Sequence, residues 1–296
     1  MLARGYSALD AVEIAIRLVE DDPTCNSVGT GGLPNAQGVL ELDASIMDGA
    51  TMNAGGITCL TMTKNPISVA RKVMELTPHV LLAGQGATDF ARRCGFPEYD
   101  PMTAESRTTW KKLRDRVFSA ANDETALRSY LELTRDEGNA AIFKLTQALR
   151  SLLSNWHGTV GVLAADRSRK TAAGTSTSGW ALRFPGRVSD SSIIGAGTYA
   201  NKRAAASATG IGETVIKYCL TKEVCDLVQE GNSPTEACEA ALANILANER
   251  CDHLVAVFCV DADYNVGGAS TKEGFQFEYL ASSDSKPVIV TPKPIR

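Results

Sequence analysis

Hydroxyl residues and glycines crowd residues 158–212, where they could supply a nucleophile. The sequence contains three histidines and no G-x-S-x-G, H-E-x-x-H or P-loop motif, so the common hydrolase and nucleotide-binding templates do not apply. Thr159 could act without a histidine if the chain were cut before it. A free α-amine has a pKa of about 7.7 to 8 and can accept the hydroxyl proton. Taken alone, such a threonine is more simply a β-branched strand residue.

The segment that begins with Thr159 has the pattern of a β-hairpin. Residues 159–165 and 171–177 are β-favouring runs, and the polar turn 166–170 joins them. Two helices are predicted next, the second of which begins with the capping box Ser233-Pro234-Thr235-Glu236. Strands are then predicted over 254–260, 266–271 and 275–280.

The first half of the chain alternates helices, a shaped loop and short strands. Ser7 can cap a helix whose apolar positions recur every three or four residues, and Asp21-Asp22-Pro23 ends it. The pattern then predicts, in order, a Gly- and Asn-rich loop over 26–38, strands over 39–46 and 54–61, a helix from Asn65-Pro66, a strand over 80–83 and a helix over 87–94.

A charged connector separates the two halves. Residues 103–155 carry nine Lys or Arg and seven Asp or Glu, interleaved and with few glycines, which favours solvent-exposed helix for the connector 103–158. Two strand-rich halves joined by one connector indicate a single domain over 1–296, built from segments 1–158 and 159–296.

Composition excludes several classes of protein. A net charge of −4 and no basic patch argue against binding to nucleic acid. No apolar run approaches the roughly 18 to 20 residues that cross a bilayer, so no membrane association is expected. Eight scattered cysteines form no C-x-x-C pair, which predicts buried thiols and neither disulfides nor a metal cluster. The expected compartment is the cytoplasm, or the lysosome or secretory pathway if a targeting segment lies outside this sequence.

Ordered motifs in both halves of the chain resemble one known family. In the first half they are Glu20-Asp21-Asp22-Pro23, Ser27-Val28-Gly29-Thr30-Gly31-Gly32, Leu42-Asp43-Ala44-Ser45-Ile46-Met47-Asp48-Gly49 and Lys64-Asn65-Pro66-Ile67. In the second half they are Trp156-His157-Gly158-Thr159-Val160-Gly161, Gly174-Thr175-Ser176-Thr177-Ser178-Gly179, Pro185-Gly186-Arg187-Val188-Ser189-Asp190-Ser191 and Ala208-Thr209-Gly210-Ile211-Gly212-Glu213. The whole set resembles the asparaginase family of N-terminal-nucleophile hydrolases, which includes plant-type asparaginase/isoaspartyl peptidase, glycosylasparaginase and threonine aspartase.

The resemblance implies a fold and a nucleophile. The expected fold is α+β, a four-layer αββα sandwich. Autocatalytic cleavage would fall between Gly158 and Thr159, and Thr159 would then be the nucleophile at the start of a central strand. Thr177 on the neighbouring strand would assist it.

The resemblance also implies how substrate is held. Arg187 would bind the substrate α-carboxylate, for which a guanidinium fork is suited, and Asp190 would bind the α-ammonium group. Without the family match Arg187 would be read as a surface ion-pair partner. Thr209 and Gly210 would form the oxyanion hole, and Gly210 would also contact substrate.

The implied activity is hydrolysis of the side-chain amide of asparagine or its derivatives: L-asparagine, β-aspartyl peptides or N4-glycosylasparagine. Two alternatives stay open, a threonine-aspartase-like endopeptidase and a shortened, non-catalytic relative that acts as a binding partner. No cofactor is expected, although relatives can hold a structural sodium ion, for which the loop 26–31 is the candidate. A homodimer of cleaved protomers is the implied assembly.

Two features depart from the family pattern. Gly158 precedes the candidate nucleophile, as in plant-type asparaginases, whereas glycosylasparaginases and threonine aspartases carry Asp there. The first predicted element is a helix, whereas family members place a strand and a substrate loop before it. Loss of that strand would leave a sheet edge with unpaired backbone groups.

Overall fold

The computed structural model describes residues 2–120 and 158–295, which form a mixed α+β fold. The first part contains helices α1 (Ala8–Glu20), α2 (Pro66–Leu76), α3 (Gly84–Arg93) and α4 (Ala104–Ala120) and strands β1 (Leu42–Asp48), β2 (Ala54–Leu60) and β3 (Leu81–Ala83). The second part contains strands β4 (Val160–Ala165), β5 (Thr171–Thr177), β6 (Thr198–Ala200), β7 (Ala204–Gly210), β8 (Val255–Asp261), β9 (Val266–Ser270), β10 (Phe277–Tyr279) and β11 (Val288–Val290). Its helices are α5 (Gly212–Lys217), α6 (Leu220–Gln229) and α7 (Pro234–Asn248).

Two sheets carry the fold. The larger has the strand order β3-β2-β1-β5-β4, with only β2 and β3 parallel, and the smaller has the order β6-β7-β8-β9. The predicted hairpin is confirmed as β4 and β5, whose antiparallel register pairs Val160 with Ser176. In the described part of the chain β4 forms one edge of its sheet, and most of its residues are partly exposed.

Each sheet has its own apolar core. Helices α1 and α2 pack on the larger sheet through a cluster that includes Val12, Ile16 and Ile46, while α6 and α7 pack on the smaller sheet around Leu220 and Leu242. A third and smaller cluster, Met47, Ala173, Ala200 and Ala205, joins strands of both sheets. The short side chains of this cluster let the two sheets approach closely.

Two helices are capped by the side chains that the sequence predicts, and a third helix is not. Ser7 caps α1, and Ser233 with Glu236 forms the predicted capping box of α7. Asn65 makes no side-chain capping bond to α2. The carboxyl group of Glu20 replaces it by accepting a 3.0 Å hydrogen bond from the amide of Ile67.

Some predictions need correction or lie outside the described residues. All eight cysteines are free thiols. The prediction that they are core residues is wrong for Cys219, which is exposed. Residues 204–210, predicted as no particular element, form β7 at the centre of the smaller sheet. Helix α4 confirms the start of the helical connector, while the rest of it, including Trp156 and His157, lies outside the described residues. Among the described residues, no helix has the length and apolar character of a membrane span.

Candidate active site

The predicted site residues meet where strands from both sheets end. A small, solvent-open pocket lies there and is lined by Gly158, Thr159, Thr177, Gly179, Trp180, Arg187, Ser189, Asp190 and Gly210. Thr159 lies just before β4, Thr177 ends β5 and Gly210 ends β7. The pocket thus gathers a candidate nucleophile, a cation, an anion and a backbone turn in one small volume.

The uncut bond before Thr159 carries a directed hydrogen bond. The Thr177 hydroxyl donates to the carbonyl oxygen of Gly158 at 2.6 Å. The same hydroxyl oxygen accepts from the amide of Gly179 at 2.9 Å. The carbonyl of Ser27 is a second acceptor, but it lies 3.4 Å from the hydroxyl oxygen, so the shorter bond to the Gly158 carbonyl is the stronger one. A donor held on the carbonyl of the candidate cleavage bond would stabilise negative charge developing there.

Gly158 fits against the loop 26–31 only because it has no side chain. A Cβ atom on Gly158 would lie 2.3 Å from Oγ and 2.8 Å from Cβ of Ser27. The backbone of Ser27 is fixed in turn, since its carbonyl accepts a 2.8 Å hydrogen bond from the Ser178 amide. The glycine that departs from the glycosylasparaginase pattern therefore matches the local packing of this chain.

The guanidinium group of Arg187 is hydrogen-bonded along one edge and stacked on one face. Its Nε and Nη2 atoms donate to the two carboxylate oxygens of Glu213 at 3.0 and 3.1 Å. Its guanidinium carbon lies 5.0 Å from the ring centroid of Trp180. Planar, bidentate and stacked contacts of this kind orient an arginine more tightly than a single ion pair does.

Asp190 is a buried carboxyl group that lacks a full set of partners. It begins a 3-10 turn over Asp190–Ser192, is 4% exposed, and its Oδ2 atom has no hydrogen-bond partner among the described residues. Burial raises its pKa to about 7, against the opposing attraction of Arg187. A carboxyl group in this condition is stabilised by an added cation, such as an ammonium group.

Arg187 and Asp190 point to the same place. A Cβ atom on Gly212 would lie 2.6 Å from Oδ1 of Asp190 and 2.8 Å from Nη2 of Arg187. The two opposite charges therefore lie side by side over a glycine, as recognition of an α-carboxylate and an α-ammonium group on one carbon would require.

Gly210 lines the pocket in a conformation that needs glycine. Its φ is +115°, and a Cβ atom there would lie 2.2 Å from the carbonyl oxygen of Leu254. Thr209 is not among the lining residues, but it shares a strand face with Ser207, whose side chain meets Gly161 of β4. Thr209 is thus on the face of β7 directed toward β4.

Sequence reasoning missed two contributors to the pocket. The sequence motifs assign no role to Trp180, although an aromatic residue two positions after the hydroxyl run 175–178 is a usable signal. Glu213 ends the last of the motifs, but its bond to Arg187 depends on tertiary contacts that the sequence does not reveal.

Comparison with known proteins decides the family. The asparaginase family model matches residues 1–290. The chain belongs to the asparaginase family. Among its relatives, a plant-type L-asparaginase of Pyrococcus furiosus is 42% identical over 281 residues, which are 95% of this chain and 86% of that protein. The N(4)-(β-N-acetylglucosaminyl)-L-asparaginase of Elizabethkingia miricola is 38% identical over 284 residues, 94% of this chain and 75% of that protein. An isoaspartyl peptidase/L-asparaginase of Danio rerio is 34% identical over 290 residues, 97% of this chain and 83% of that protein.

Family membership fixes the type of chemistry but not the role of each residue. Asparaginase-family proteins are amidohydrolases for which self-cleavage and a threonine nucleophile are general. The roles assigned above to Thr159, Thr177, Arg187 and Asp190, and to the turn that ends β7, stay predictions.

Proposed function

We propose that this chain cuts itself between Gly158 and Thr159 and then hydrolyses the side-chain amide of asparagine or of an asparagine derivative. The observation that carries the proposal is the hydrogen bond from the Thr177 hydroxyl to the Gly158 carbonyl, inside a pocket that also contains Arg187 and Asp190. A cleavage site and a binding site for both ends of an amino acid thus share one pocket.

In the self-cleavage step, Oγ of Thr159 attacks the carbonyl carbon of Gly158. Negative charge develops on the carbonyl oxygen, which accepts a hydrogen bond from the Thr177 hydroxyl. The C–N bond breaks, the hydroxyl proton passes to the departing nitrogen, and the Gly158 acyl group is left as an ester on Oγ. Water hydrolyses this ester, which frees both the hydroxyl group and the α-amine of Thr159.

In the amidase step, that α-amine is the base. With a pKa of about 7.7 to 8 it is partly neutral at pH 7 and removes the proton from its own hydroxyl as Oγ attacks the substrate amide carbon. Gly210 and Thr209 face the developing oxyanion. Ammonia or an amine leaves with a proton, and water then releases aspartate from the acyl-enzyme.

Substrate orientation rests on the paired charges. Arg187 binds the α-carboxylate and Asp190 binds the α-ammonium group, so the side-chain amide is directed toward Thr159. The relatives named for L-asparaginase, glycosylasparaginase and isoaspartyl peptidase activity share this substrate core and differ in the group attached to the amide nitrogen.

The finer architecture is also proposed. The packing of α1 and α2 on one sheet and of α6 and α7 on the other supports a four-layer αββα sandwich. A homodimer of cleaved protomers is proposed from the resemblance and is tested by sedimentation equilibrium. The loop 26–31 stays the candidate for a structural sodium ion, since the carbonyls of Ser27 and Gly29 accept hydrogen bonds from Ser178 and Gly32 and each has a second lone pair.

One experiment tests the function. Purified protein is incubated, its fragments are analysed by mass spectrometry, and a panel of asparagine, β-aspartyl dipeptides and glycosylasparagine is scored for ammonia, free amino acid and sugar. A new amino terminus that reads Thr-Val-Gly-Val is expected, with turnover that Thr159→Ala abolishes. Turnover removes the non-catalytic alternative, while cleavage of a protein substrate after Asp would favour the endopeptidase. A chain that stays intact and releases no product from the panel would overturn the proposal.

A further inference from the structure

The segment 183–190 carries Arg187 and Asp190 but has little regular structure of its own. Only its last residue belongs to an assigned element, the 3-10 turn over Asp190–Ser192. Its shape must therefore come from bonds to its surroundings. Those bonds lead to β1, the central strand of the larger sheet, and to Glu41, which directly precedes it.

We propose that Glu41 and Asp43 are positioning residues for substrate, which hold the backbone on both sides of Arg187 so that Arg187 and Asp190 meet the two charged ends of one amino acid. The inference rests on the proposed function, whose binding step it deepens. Neither residue lines the pocket, so both act through the segment that they hold.

Asp43 binds the segment at its two ends. The side chain is fully buried, and its Oδ2 atom accepts hydrogen bonds from Nη1 of Arg183 at 2.6 Å and from the amide of Ser189 at 3.2 Å. Its Oδ1 atom accepts from the hydroxyl of Thr58 and from the amide of Cys59, each at 2.8 Å. Four donors fix the carboxylate rigidly, so it can serve as a reference point for Ser189, the residue before Asp190.

Glu41 binds the segment just before Arg187. Its carboxylate oxygens accept from the amide of Gly186 at 3.2 and 3.4 Å. Its own carbonyl accepts from Nη2 of Arg183 at 2.8 Å. The backbone amides at 186 and 189, which bracket Arg187, are thus bonded to two carboxylates that lie two positions apart in the chain, Glu41 and Asp43.

The turn that follows is held from the same side. Oγ of Ser45 donates to the carbonyl of Ser191 at 2.7 Å, and Oγ1 of Thr175 donates to the same oxygen at 2.8 Å. Asp43 and Ser45 are two residues apart on β1 and therefore share a face of the strand. One strand face thus fixes the backbone on both sides of Asp190.

The arrangement is poorly explained by stability alone. A buried ion pair such as Asp43–Arg183 contributes little net stability, because desolvation offsets most of the attraction between its charges. The side-chain bonds of Glu41 end on the binding segment, and those of Asp43 end on that segment and on Thr58 and Cys59 of β2. None of these side-chain bonds ends on Thr159 or Thr177. Loss of positioning should therefore weaken binding of the amino-acid part of substrate while self-cleavage proceeds.

The test compares the rate of self-cleavage of the intact chain with KM and kcat of the cut enzyme. Glu41→Ala is expected to raise KM for the best amide substrate about tenfold, the loss typical of one charge-assisted hydrogen bond, with kcat within about threefold of wild type. Glu41→Gln, which keeps an acceptor for the Gly186 amide, should restore most of the affinity. Asp48→Asn is the matched control, since Asp48 lies on the same strand but bonds only to its own turn at Ala50 and Thr51, and its KM should equal that of wild type.

Asp43 needs a paired substitution. Asp43→Asn alone leaves the buried Arg183 with only its longer, 3.6 Å ion pair to Glu41, so the double variant Asp43→Asn with Arg183→Met removes both charges of the 2.6 Å pair. This variant should self-cleave at the wild-type rate and still show raised KM. Affinity for the product L-aspartate, measured by isothermal titration calorimetry, needs no turnover and should fall in parallel with 1/KM.

The outcomes separate the two proposals. An unchanged KM and aspartate affinity in Glu41→Ala and in the double variant would overturn the positioning role, as would equal losses of kcat and self-cleavage at constant KM. Wild-type protein that binds aspartate but turns over no amide would instead overturn the proposed function, and the aspartate affinities would still decide the positioning role. Wild type that binds no aspartate would overturn both.

Discussion

The hydroxyl of Thr177 donates a 2.6 Å hydrogen bond to the carbonyl oxygen of Gly158, which belongs to the peptide bond before Thr159. The donor and the carbonyl are already in place in the uncut chain, so no rearrangement is needed to stabilise charge on this oxygen.

Thr177→Val should therefore slow self-cleavage by about 10²- to 10³-fold, the usual loss when one oxyanion donor is removed. Valine keeps the shape of threonine and its strand preference, so the fold should persist. The rate is read from the appearance of two fragments on denaturing gels. Thr177→Ser is the control and should cleave within about tenfold of wild type; a valine variant that cleaves as fast as wild type would show that the hydrogen bond has no such role.

Gly158 is expected to tolerate no side chain while Ser27 is present. A Cβ atom at 158 would lie 2.3 Å from Oγ of Ser27, so Gly158→Ala must displace the carbonyl from Thr177 or move the loop 26–31. Self-cleavage of Gly158→Ala should be slower by at least about tenfold, since a small misplacement of reacting groups can cost about 10²-fold. Adding Ser27→Gly removes the clash and should recover the rate. Slow cleavage in both variants would locate the cause elsewhere.

The hairpin that carries the site could be predicted from the sequence because its signals are local. β-Favouring runs on either side of a polar turn determine β4 and β5 whatever surrounds them. The sequence of β7 does not predict a strand, because Ala204–Gly210 is rich in alanine, which has low strand propensity. Its small residues are explained only by the opposite sheet, where Ala205 packs with Met47 and Ala173.

The site was only partly predictable for the same reason. The motifs that contain Thr159, Thr177, Arg187 and Asp190 pointed to one pocket through family resemblance, and the structure brings them together. The partners that orient these residues come from distant parts of the chain. Asp43 is 146 positions from Ser189, and no sequence pattern links them.

Trp180 is expected to strengthen substrate binding through Arg187. Its ring lies against the guanidinium group at 5.0 Å, and such cation–π contacts contribute about 0.5 to 2 kcal/mol. Trp180→Ala should raise KM by roughly 2- to 30-fold, with Trp180→Phe intermediate because it keeps an aromatic face. Steady-state kinetics on the cut enzyme measure both. A KM that does not change in the alanine variant would exclude a contribution of this stack to binding.

Substrate binding should weaken below pH 7 because of Asp190. Burial raises its pKa to about 7 in the presence of the neighbouring charges Arg187, Glu213 and Asp43, so acidification converts the carboxylate to the neutral acid that attracts no ammonium group. The dissociation constant of L-aspartate should therefore rise about tenfold per pH unit well below the pKa. Calorimetry between pH 5 and pH 9 measures this. Asp190→Asn should bind weakly at all pH values, and a pH dependence that persists in this variant would assign the titration to another group.

Glu20 should make the fold less stable at high pH. The side chain is fully buried between α1 and the start of α2, and burial raises its pKa from 4.5 to about 8. The folded chain then holds a proton that the unfolded chain loses above pH 4.5. This contribution to stability is complete below pH 4.5 and declines as the pH rises toward 8.

Glu20→Gln replaces that acid by a neutral isostere, which can still accept the bond from the Ile67 amide. Its Tm relative to wild type should therefore increase from pH 5 to about pH 8 and level off above it, and each 1 kcal/mol corresponds to about 2–4 °C for a domain of this size. Calorimetric melting of both proteins over this range gives the difference. Glu13→Gln on the same helix controls for the loss of a carboxylate from α1, because Glu13 is partly exposed and contacts Ser68 and Arg71. If the two variants follow the same pH profile, the buried proton on Glu20 is not what makes stability depend on pH.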